Sequence, residues 1–220
     1  MSSHHIVREN QEPALIIANG AACSLELLNQ LLEWSPLVVV LDSAIDRVLE
    51  LGIKVDVLIG DFDRNFDYNY YQSLQYPIEI VQIKEQDSYD IDKAIRYLID
   101  RNQTAANIVW ATGRRMDHTM TNITNMVRYQ DEIKLVMLDD YSKIIPLSKK
   151  YTKWYPAETI ISLIPVGTVE GISSQNLKYE LNDDRLILGF KPGSSNEVLK
   201  DGLVEISYKS GHLLLMECND

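Results

Sequence analysis

The stretch Val55-Asp56-Val57-Leu58-Ile59-Gly60-Asp61-Phe62-Asp63 joins a short apolar run to two carboxylates that follow directly after it. A run of this length, rich in Val, Leu and Ile, predicts a strand buried on both faces, which is typical of a parallel sheet. Gly60 permits a tight turn at the end of that strand. Asp61 and Asp63 could then both reach one metal ion or its waters, although a solvated turn with helix-capping acids is the plain alternative.

Similar apolar runs alternate with helical patterns through the first two thirds of the chain. The runs cover residues 14–18, 37–41, 78–83, 107–111 and 133–138. One helical pattern includes Ile45 and Val48 and stops at Gly52, a second covers 91–99 with Ser88 as a candidate cap, and a third covers 118–129. This alternation predicts βα units and a Rossmann-like open parallel sheet with flanking helices, which we assign to residues 1–145.

Helical periodicity fades after about Pro146, and short β-rich runs between Gly, Pro and Asn-Asp turn signals replace it. These runs cover residues 159–164, 177–181, 186–188, 203–208 and 213–216. The pattern predicts a small all-β domain over residues 146–220, with a sandwich favoured over a barrel.

The composition excludes several classes of protein. The formal net charge of −11 argues against a general nucleic-acid binder, because no excess of Lys and Arg is available to neutralise phosphates. No apolar run approaches the ~20 residues of a membrane span, so we expect no membrane partner. The two cysteines, Cys23 and Cys218, lie far apart and show no metal-binding spacing. They indicate a reducing, cytoplasmic environment.

Acidic residues follow other predicted strands as well, at Asp42, at Asp87 and Asp90, and at Asp117. Ligands of open parallel sheets bind outside the carboxyl ends of the strands, so these side chains are expected at one edge. Two carboxylates ~4 Å apart repel by roughly 4 kcal/mol at an effective dielectric of ~20. A cluster of them therefore calls for a cation, and oxygen ligands suit Mg²⁺ shared with a phosphate substrate. The sequence thus predicts a metal-assisted enzyme that acts on phosphates.

Asp87 and Asp90 are three residues apart at the start of a predicted helix, so their side chains can share a face. Simple helix capping is a serious alternative, because the macrodipole favours acids at a helix N-terminus. Lys93, one turn beyond Asp90, could pair with it or reach a phosphate.

The segment Gly113-Arg114-Arg115-Met116-Asp117-His118 leads from a predicted strand into a helix. Two guanidiniums beside a glycine and a helix N-terminus form a plausible polyphosphate cradle. Asp117 would orient an arginine or bind the metal, and His118 is either a functional contact or an ordinary residue at a helix start. Walker A and complete Gly-x-Gly-x-x-Gly patterns do not occur, which disfavours P-loop and dinucleotide-binding proteins.

Taken in order, these segments resemble the thiamine pyrophosphokinase family. The resemblance is carried by Asp42-Ser43-Ala44-Ile45-Asp46-Arg47, Gly60-Asp61-Phe62-Asp63-Arg64, Glu85-Gln86-Asp87-Ser88-Tyr89-Asp90 with Lys93, Gly113-Arg114-Arg115-Met116-Asp117-His118 with Asn122, Ile164-Pro165-Val166-Gly167, Asn176-Leu177-Lys178-Tyr179-Glu180-Leu181 and Gly193-Ser194-Ser195-Asn196. Each motif is modest alone, but the ordered set is specific and spans nearly the whole chain.

The resemblance implies Mg²⁺-dependent transfer of a pyrophosphoryl group from ATP to the hydroxyl of thiamine, which gives thiamine diphosphate and AMP. It implies that Asp61, Asp63 and Asp87 bind Mg²⁺ and that Asp90 or Asp117 completes the shell of the ion. For ATP, it implies that Lys93 and Arg115 contact phosphate and that the site is lined by Asp42, His118 and Asn122. The residues that it implies for presenting thiamine are Tyr179, Ser195 and Asn196. Asp117 and Asp87 are the candidates for accepting the hydroxyl proton. The family places its active site at a dimer interface, so a homodimer is expected.

The sequence departs from the family pattern at four positions. Ser43 and Ile45 replace small residues beside Asp42, so a different shape of that loop is expected. Arg114 stands where a glycine is usual, so it either adds a phosphate contact or crowds one. Tyr179 replaces a tryptophan, which keeps stacking against thiamine with a smaller ring. Two alternatives stay open: a pyrophosphokinase acting on another alcohol, and a non-catalytic regulator that binds nucleotide or thiamine.

Overall fold

The parallel half of the sheet is built from six short strands. In the computed structural model, which describes residues 12–62, 66–85 and 88–219, these are β1 (Ala14–Ile17), β2 (Val38–Leu41), β3 (Val57–Gly60), β4 (Glu79–Gln82), β5 (Ala105–Val109) and β6 (Lys134–Leu138). They lie in the order β4-β3-β2-β1-β5-β6, and every neighbouring pair is parallel. The mixed α/β fold with a parallel core, predicted from the continuous apolar runs, is therefore confirmed.

In the described part of the chain, five α-helices flank these strands. They are α1 (Leu25–Leu32), α2 (Ile45–Glu50), α3 (Tyr68–Gln75), α4 (Asp90–Asp100) and α5 (Met116–Arg128). One apolar core forms where residues of α4 and α5 pack on the sheet, and a second forms on the opposite face with residues of α1 and α2. None of the helices in the described segments combines the length and apolar character that a membrane crossing requires.

The helix predictions were right for α2, α4 and α5 but incomplete. Both α1 and α3 were missed, and the cap expected from Ser88 is wrong. α4 begins after Tyr89, which makes no side-chain capping bond, while the Ser88 hydroxyl donates to Oε2 of Glu85 at 3.2 Å. The Ser88 side chain therefore bonds to Glu85, and the N-terminus of α4 has no side-chain cap.

The order of the strands creates a switch point between β1 and β5. The chain runs outward from β1 through β2 and β3 to β4, and α4 then returns it to β5 on the other side of β1. The connections that leave β1 and β5 therefore diverge to opposite sides. In open α/β sheets this divergence opens a crevice beyond the carboxyl ends of the two strands.

The rest of the chain is antiparallel and β-rich. Its strands are β7 (Ser142–Leu147), β8 (Lys150–Tyr155), β9 (Ile160–Gln175), β10 (Asp184–Ile187), β11 (Gly193–Glu197), β12 (Gly202–Ser207) and β13 (Ser210–Cys218). β7, β8 and β11 were not predicted. The strand predicted over 177–181 is wrong, because these residues form a loop with one isolated bridge, between Leu177 and Val198.

β9 is much longer than the predicted run of 159–164. Gly167 and Gly171 were interpreted as turn residues, and both do adopt positive φ, 82° and 64°. They bend the strand instead of ending it. The bends let one strand pair with β11 and β13 near its start and with β12 near its end.

β7 joins the two halves into one sheet, since it pairs antiparallel with β6 on one side and with β13 on the other. The strand order continues as β6-β7-β13-β9-β12-β8. The division that the sequence suggests between residues 145 and 146 therefore falls inside β7. Beyond it lies a third apolar core, to which Leu147, Leu163 and Leu213 belong.

Candidate active site

A cavity of about 630 Å³ lies at the carboxyl ends of β1 to β5, where the switch point predicts a ligand. Of the predicted site residues, six line it: Asp61, Asp90, Lys93, Arg115, His118 and Asn122. Asp63 and Asp87, both predicted metal ligands, lie outside the described residues. The remaining five, Asp42, Asp117, Tyr179, Ser195 and Asn196, are described but are not part of the cavity wall.

The acidic side of the cavity contains a buried lysine. The side chain of Lys93 is 1% exposed, and its ammonium donates to Oδ1 of Asp90 at 3.1 Å and lies 4.0 Å from Oδ2 of Asp61. Each of the two carboxylates is 33% exposed, so both still face the cavity. A buried ammonium is stable only beside such partners, and here it bridges the end of β3 to the first turn of α4.

Asp42 stands directly behind these carboxylates. Its Oδ2 accepts from the Phe62 N–H at 3.0 Å, and a Cβ added to Gly60 would overlap its carboxylate. Gly60 is thus required for a close approach, not only for a turn. Burial raises the pKa of Asp42, and the charges of Asp90 and Asp61 raise it further. Asp42, Asp61 and Asp90 therefore share one region of negative potential.

That region offers the chemistry of a divalent-cation site, because carboxylate oxygens are the ligands Mg²⁺ prefers and their mutual repulsion is already felt at Asp42. Within the ranges 12–62, 66–85 and 88–219, however, no three Asp, Glu, His or Cys side chains are arranged to hold a metal by themselves. The described acids fit a Mg²⁺ ion in charge and atom type, and a complete ligand set needs more than they supply.

The opposite side of the cavity is basic. Nη1 of Arg114 donates to the backbone oxygen of Asn19 at 3.2 Å and to its Oδ1 at 3.1 Å. Nη1 of Arg47 donates to the same Oδ1 at 2.8 Å and to the Gly20 oxygen at 2.9 Å, and its guanidinium lies 4.5 Å from the centre of the Trp110 ring. The loops after β1 and β5 are joined in this way at the switch point.

Asn19 and Arg47 were not among the predicted site residues. Asn19 carried a usable signal, because it follows directly after the first strand. Arg47 ends the motif Asp42–Arg47 that contributes to the family resemblance, but no role was assigned to it, because its place beside the cavity depends on Asn19 and Trp110, which are far from it in sequence.

The start of α5 contributes a second arginine, and this one is already paired. Arg115 forms a two-pronged ion pair with Asp117, and both side chains are largely exposed, at 70% and 62%. The hydrogen bonds from Arg115 lower the pKa of Asp117 to about 2. Asp117 thus orients an arginine, one of the two roles considered from sequence. Further along the helix, Asn122 donates to the Ala111 oxygen at 2.8 Å and fixes α5 to the end of β5.

The residues predicted to present thiamine form a separate group in the β-rich region. Asn196 is 6% exposed, and its amide accepts from the Tyr179 N–H at 3.0 Å and donates to the Tyr179 oxygen at 2.8 Å. Ser195 has a positive φ of 55°, and its N–H donates to the Ser162 hydroxyl at 2.9 Å. The Tyr179 ring is 64% exposed. A buried amide therefore holds the backbone of an exposed tyrosine.

Comparisons with known proteins match both regions of the chain. Residues 28–137 match a family model described as "Thiamin pyrophosphokinase, catalytic domain", and residues 144–213 match "Thiamin pyrophosphokinase, vitamin B1 binding domain". The chain is 26% identical over 177 residues to thiamin pyrophosphokinase 1 of Caenorhabditis elegans, covering 71% of this chain and 69% of that protein. It is 24% identical over 184 residues to thiamine pyrophosphokinase of Bacillus subtilis, covering 81% and 86%.

Solved structures show the same fold. The crystal structure of the Bacillus subtilis thiamine pyrophosphokinase superposes with a TM-score of 0.78 at 22% identity, covering 94% of this chain and 99% of that one. The thiamin pyrophosphokinase of Candida albicans superposes with a TM-score of 0.79 at 15% identity, covering 94% and 90%.

Proposed function

The chain belongs to the thiamine pyrophosphokinase family, and from this premise we propose how its residues perform the reaction. It is an enzyme that makes thiamine diphosphate. In the proposed reaction the thiamine hydroxyl attacks the β-phosphorus of ATP, the pyrophosphoryl group is transferred, and AMP leaves. The observation that carries the proposal is the separation of charge within one cavity, with Asp61, Asp90 and Lys93 on one side and Arg114 on the other.

The metal belongs on the acidic side. Asp61 would hold Mg²⁺ together with Asp63 and Asp87, and Asp90 is better placed than Asp117 to complete the shell, because Asp117 is engaged by Arg115. When bound, Mg²⁺ neutralises phosphate charge as a Lewis acid. The ion pair with Lys93 keeps Asp90 and Asp61 fixed at the cavity wall, so these oxygens are positioned before substrate arrives.

Cationic and polar groups bind and orient the nucleotide. His118 and Asn122 line the cavity, and Asp42 supports its floor from behind Gly60. Arg115 lines it as well, although its guanidinium is shared with Asp117. Because the transferred group carries its charge on non-bridging oxygens, positioning and electrostatic stabilisation supply most of the catalysis in phosphoryl-type transfers.

We propose that thiamine is presented by a second copy of the chain. Tyr179, Ser195 and Asn196 are not part of the cavity wall of their own chain, and the Tyr179 ring faces solvent. In a homodimer they would face the cavity of the partner. In this scheme residues 1–145 form a Rossmann-like catalytic unit and residues 146–220 a β-sandwich for thiamine binding and dimerisation, in a cytoplasmic enzyme. Size-exclusion chromatography with light scattering tests it, and an active monomer would contradict it.

Product analysis tests the reaction. Purified protein incubated with thiamine, ATP and Mg²⁺ should yield thiamine diphosphate and AMP by mass spectrometry. ADP with thiamine monophosphate would contradict pyrophosphoryl transfer. AMP released only with another alcohol would identify a related pyrophosphokinase, and binding without any product would identify a regulator.

A further inference from the structure

Two arginines at the switch point share one neutral oxygen. Arg114 lines the cavity, and Arg47 lies behind Asn19; both donate to Oδ1 of Asn19, at 3.1 and 2.8 Å. A single amide oxygen cannot neutralise two guanidiniums, which leaves a net positive charge at this point of the wall. Burial and the nearby Arg114 charge both lower the pKa of Arg47, as expected for like charges held together.

These two arginines differ from the others that the structure describes. Ion pairs with carboxylates are formed by the remaining five, which are Arg96, Arg101, Arg115, Arg128 and Arg185. Within the described ranges, neither Arg47 nor Arg114 has such a partner. Acids are abundant in a chain of net charge −11. Two neighbouring arginines at a cavity wall that lack a carboxylate partner among the described residues are therefore a specific arrangement.

The backbone at this point also favours a ligand role for Arg114. Its φ is 53°, in the left-handed region that suits glycine and disfavours a residue with a Cβ. An arginine in this conformation carries a local cost without gaining an ion pair in return. Residues held in such conformations by the surrounding structure cluster at active sites and ligand-binding segments.

We propose that Arg114 is a phosphate-binding residue of this chain, which together with Asn19 and Arg47 forms an oxyanion subsite for a polyphosphate. The identification of the anion as a phosphate group of the nucleotide rests on the proposed function. The planar guanidinium matches phosphate oxygens in two-pronged geometry. Arg47 is a positioning residue here, since it holds Asn19 and adds charge from behind the wall.

The first test is calorimetric binding of inorganic tripolyphosphate in the presence of Mg²⁺, which requires neither thiamine nor turnover. Replacement of Arg114 by Gly should raise the dissociation constant about tenfold, the loss of one charge-assisted hydrogen-bonding group. Arg114→Lys should give a smaller rise, and the surface variant Arg185→Gln should match wild type. Because glycine suits a φ of 53°, Arg114→Gly should melt no lower than wild type. Unchanged affinity in Arg114→Gly, or no binding to the wild type, would overturn the subsite.

A second variant separates ligand binding from a structural role. Asn19→Asp keeps the shape of the side chain and gives both arginines a carboxylate partner. If the arginines bind an anion, this variant should weaken tripolyphosphate binding about tenfold while its melting temperature stays equal or rises. Retained affinity would contradict the proposal.

Turnover, measured separately, distinguishes the two proposals. Arg114-dependent tripolyphosphate binding by a protein that makes no thiamine diphosphate would sink the proposed function and leave the subsite standing. If Arg114→Gly still forms thiamine diphosphate, and its KM for ATP and its affinity for tripolyphosphate are both unchanged, the proposed function stands and the subsite is refuted.

Discussion

The ammonium of Lys93 is buried and donates to Oδ1 of Asp90 at 3.1 Å, one helical turn away on α4. This pair fixes the acidic side of the cavity, because the same ammonium lies 4.0 Å from Asp61 at the end of β3. Its burial makes the pair a determinant of stability as well as of the site.

Removal of one partner should therefore destabilise the fold. Asp90→Ala removes the carboxylate that accepts from the buried Lys93 ammonium and leaves Asp61, 4.0 Å away, as its ion-pair partner among the described residues. We expect a loss of roughly 3 kcal/mol in the free energy of unfolding by denaturant titration. The double variant Asp90→Ala/Lys93→Met should recover much of that loss, since it removes both charges. Asp100→Ala, an exposed change on the same helix, should show no loss. Additive effects of the two single changes would contradict the coupling.

The proposed metal role of Asp61 predicts a separation of turnover from thiamine binding. Asp61→Asn removes a charge and should lower kcat by about 1000-fold. Thiamine affinity, measured by calorimetry, should stay within about twofold, and the thermal stabilisation by Mg²⁺ should disappear. Asp131→Asn serves as an exposed control. Wild-type turnover in Asp61→Asn would refute the metal assignment.

The raised pKa of Asp42 makes stability depend on pH. The native state holds this proton more tightly than the unfolded chain, in which the pKa of an Asp is near its ordinary value of 3.8. Stability is therefore lost as pH rises from 3.8 through the folded pKa, and the loss persists at neutral pH. Asp42→Asn keeps an acceptor for the Phe62 N–H and should melt about 2–4 °C higher at pH 7.5. The gain should shrink at pH 4; a gain independent of pH would point to packing instead.

The hydrogen bonds between Asn196 and the backbone of Tyr179 predict different effects for substitutions of these two residues. Tyr179→Ala removes an exposed ring and should raise KM for thiamine at least about tenfold without changing the melting temperature. Asn196→Ala removes the hydrogen bonds that hold residue 179 and should also cost about 1–3 kcal/mol of unfolding free energy. KM for ATP should change little in either variant. Equal effects on both substrates would argue against a dedicated thiamine contact.

The central parallel strands β1, β2 and β3 were predictable because their sequences are continuously apolar and buried on both faces, as in Val57–Gly60. α1 was harder to predict. Its cap, Ser24, is itself held by Asp140, whose carboxylate accepts from the Ser24 N–H at 2.9 Å across 116 residues of sequence. In the β-rich half the sequence pattern was wrong in two ways. Gly167 was interpreted as a turn residue but bends β9 without ending it, and Leu177 was assigned to a strand but is a buried residue of a loop.

The acidic side of the site was accessible from sequence since each acid follows its own strand. On the basic side, the sequence predicted that Arg114 and Arg115 form a phosphate cradle. It did not show that Arg114 contacts Asn19, 95 residues away, or that Arg114 lacks a carboxylate partner among the described residues. The pairing of Arg115 with Asp117 was one of two roles that the sequence left open for this acid, because spacing alone does not fix the direction of either side chain.

The position of β13 between β7 and β9 affects how this protein can fold on the ribosome. The six parallel strands can assemble as their βα units emerge, because each strand finds a partner already made or soon to follow. The edges of β7 and β9 that pair with β13 stay open until Ser210–Cys218 leaves the exit tunnel, roughly 40 residues after the end of β9, or ~2–8 s at ordinary rates of translation. During that interval both strands offer unpaired edges to neighbouring nascent chains.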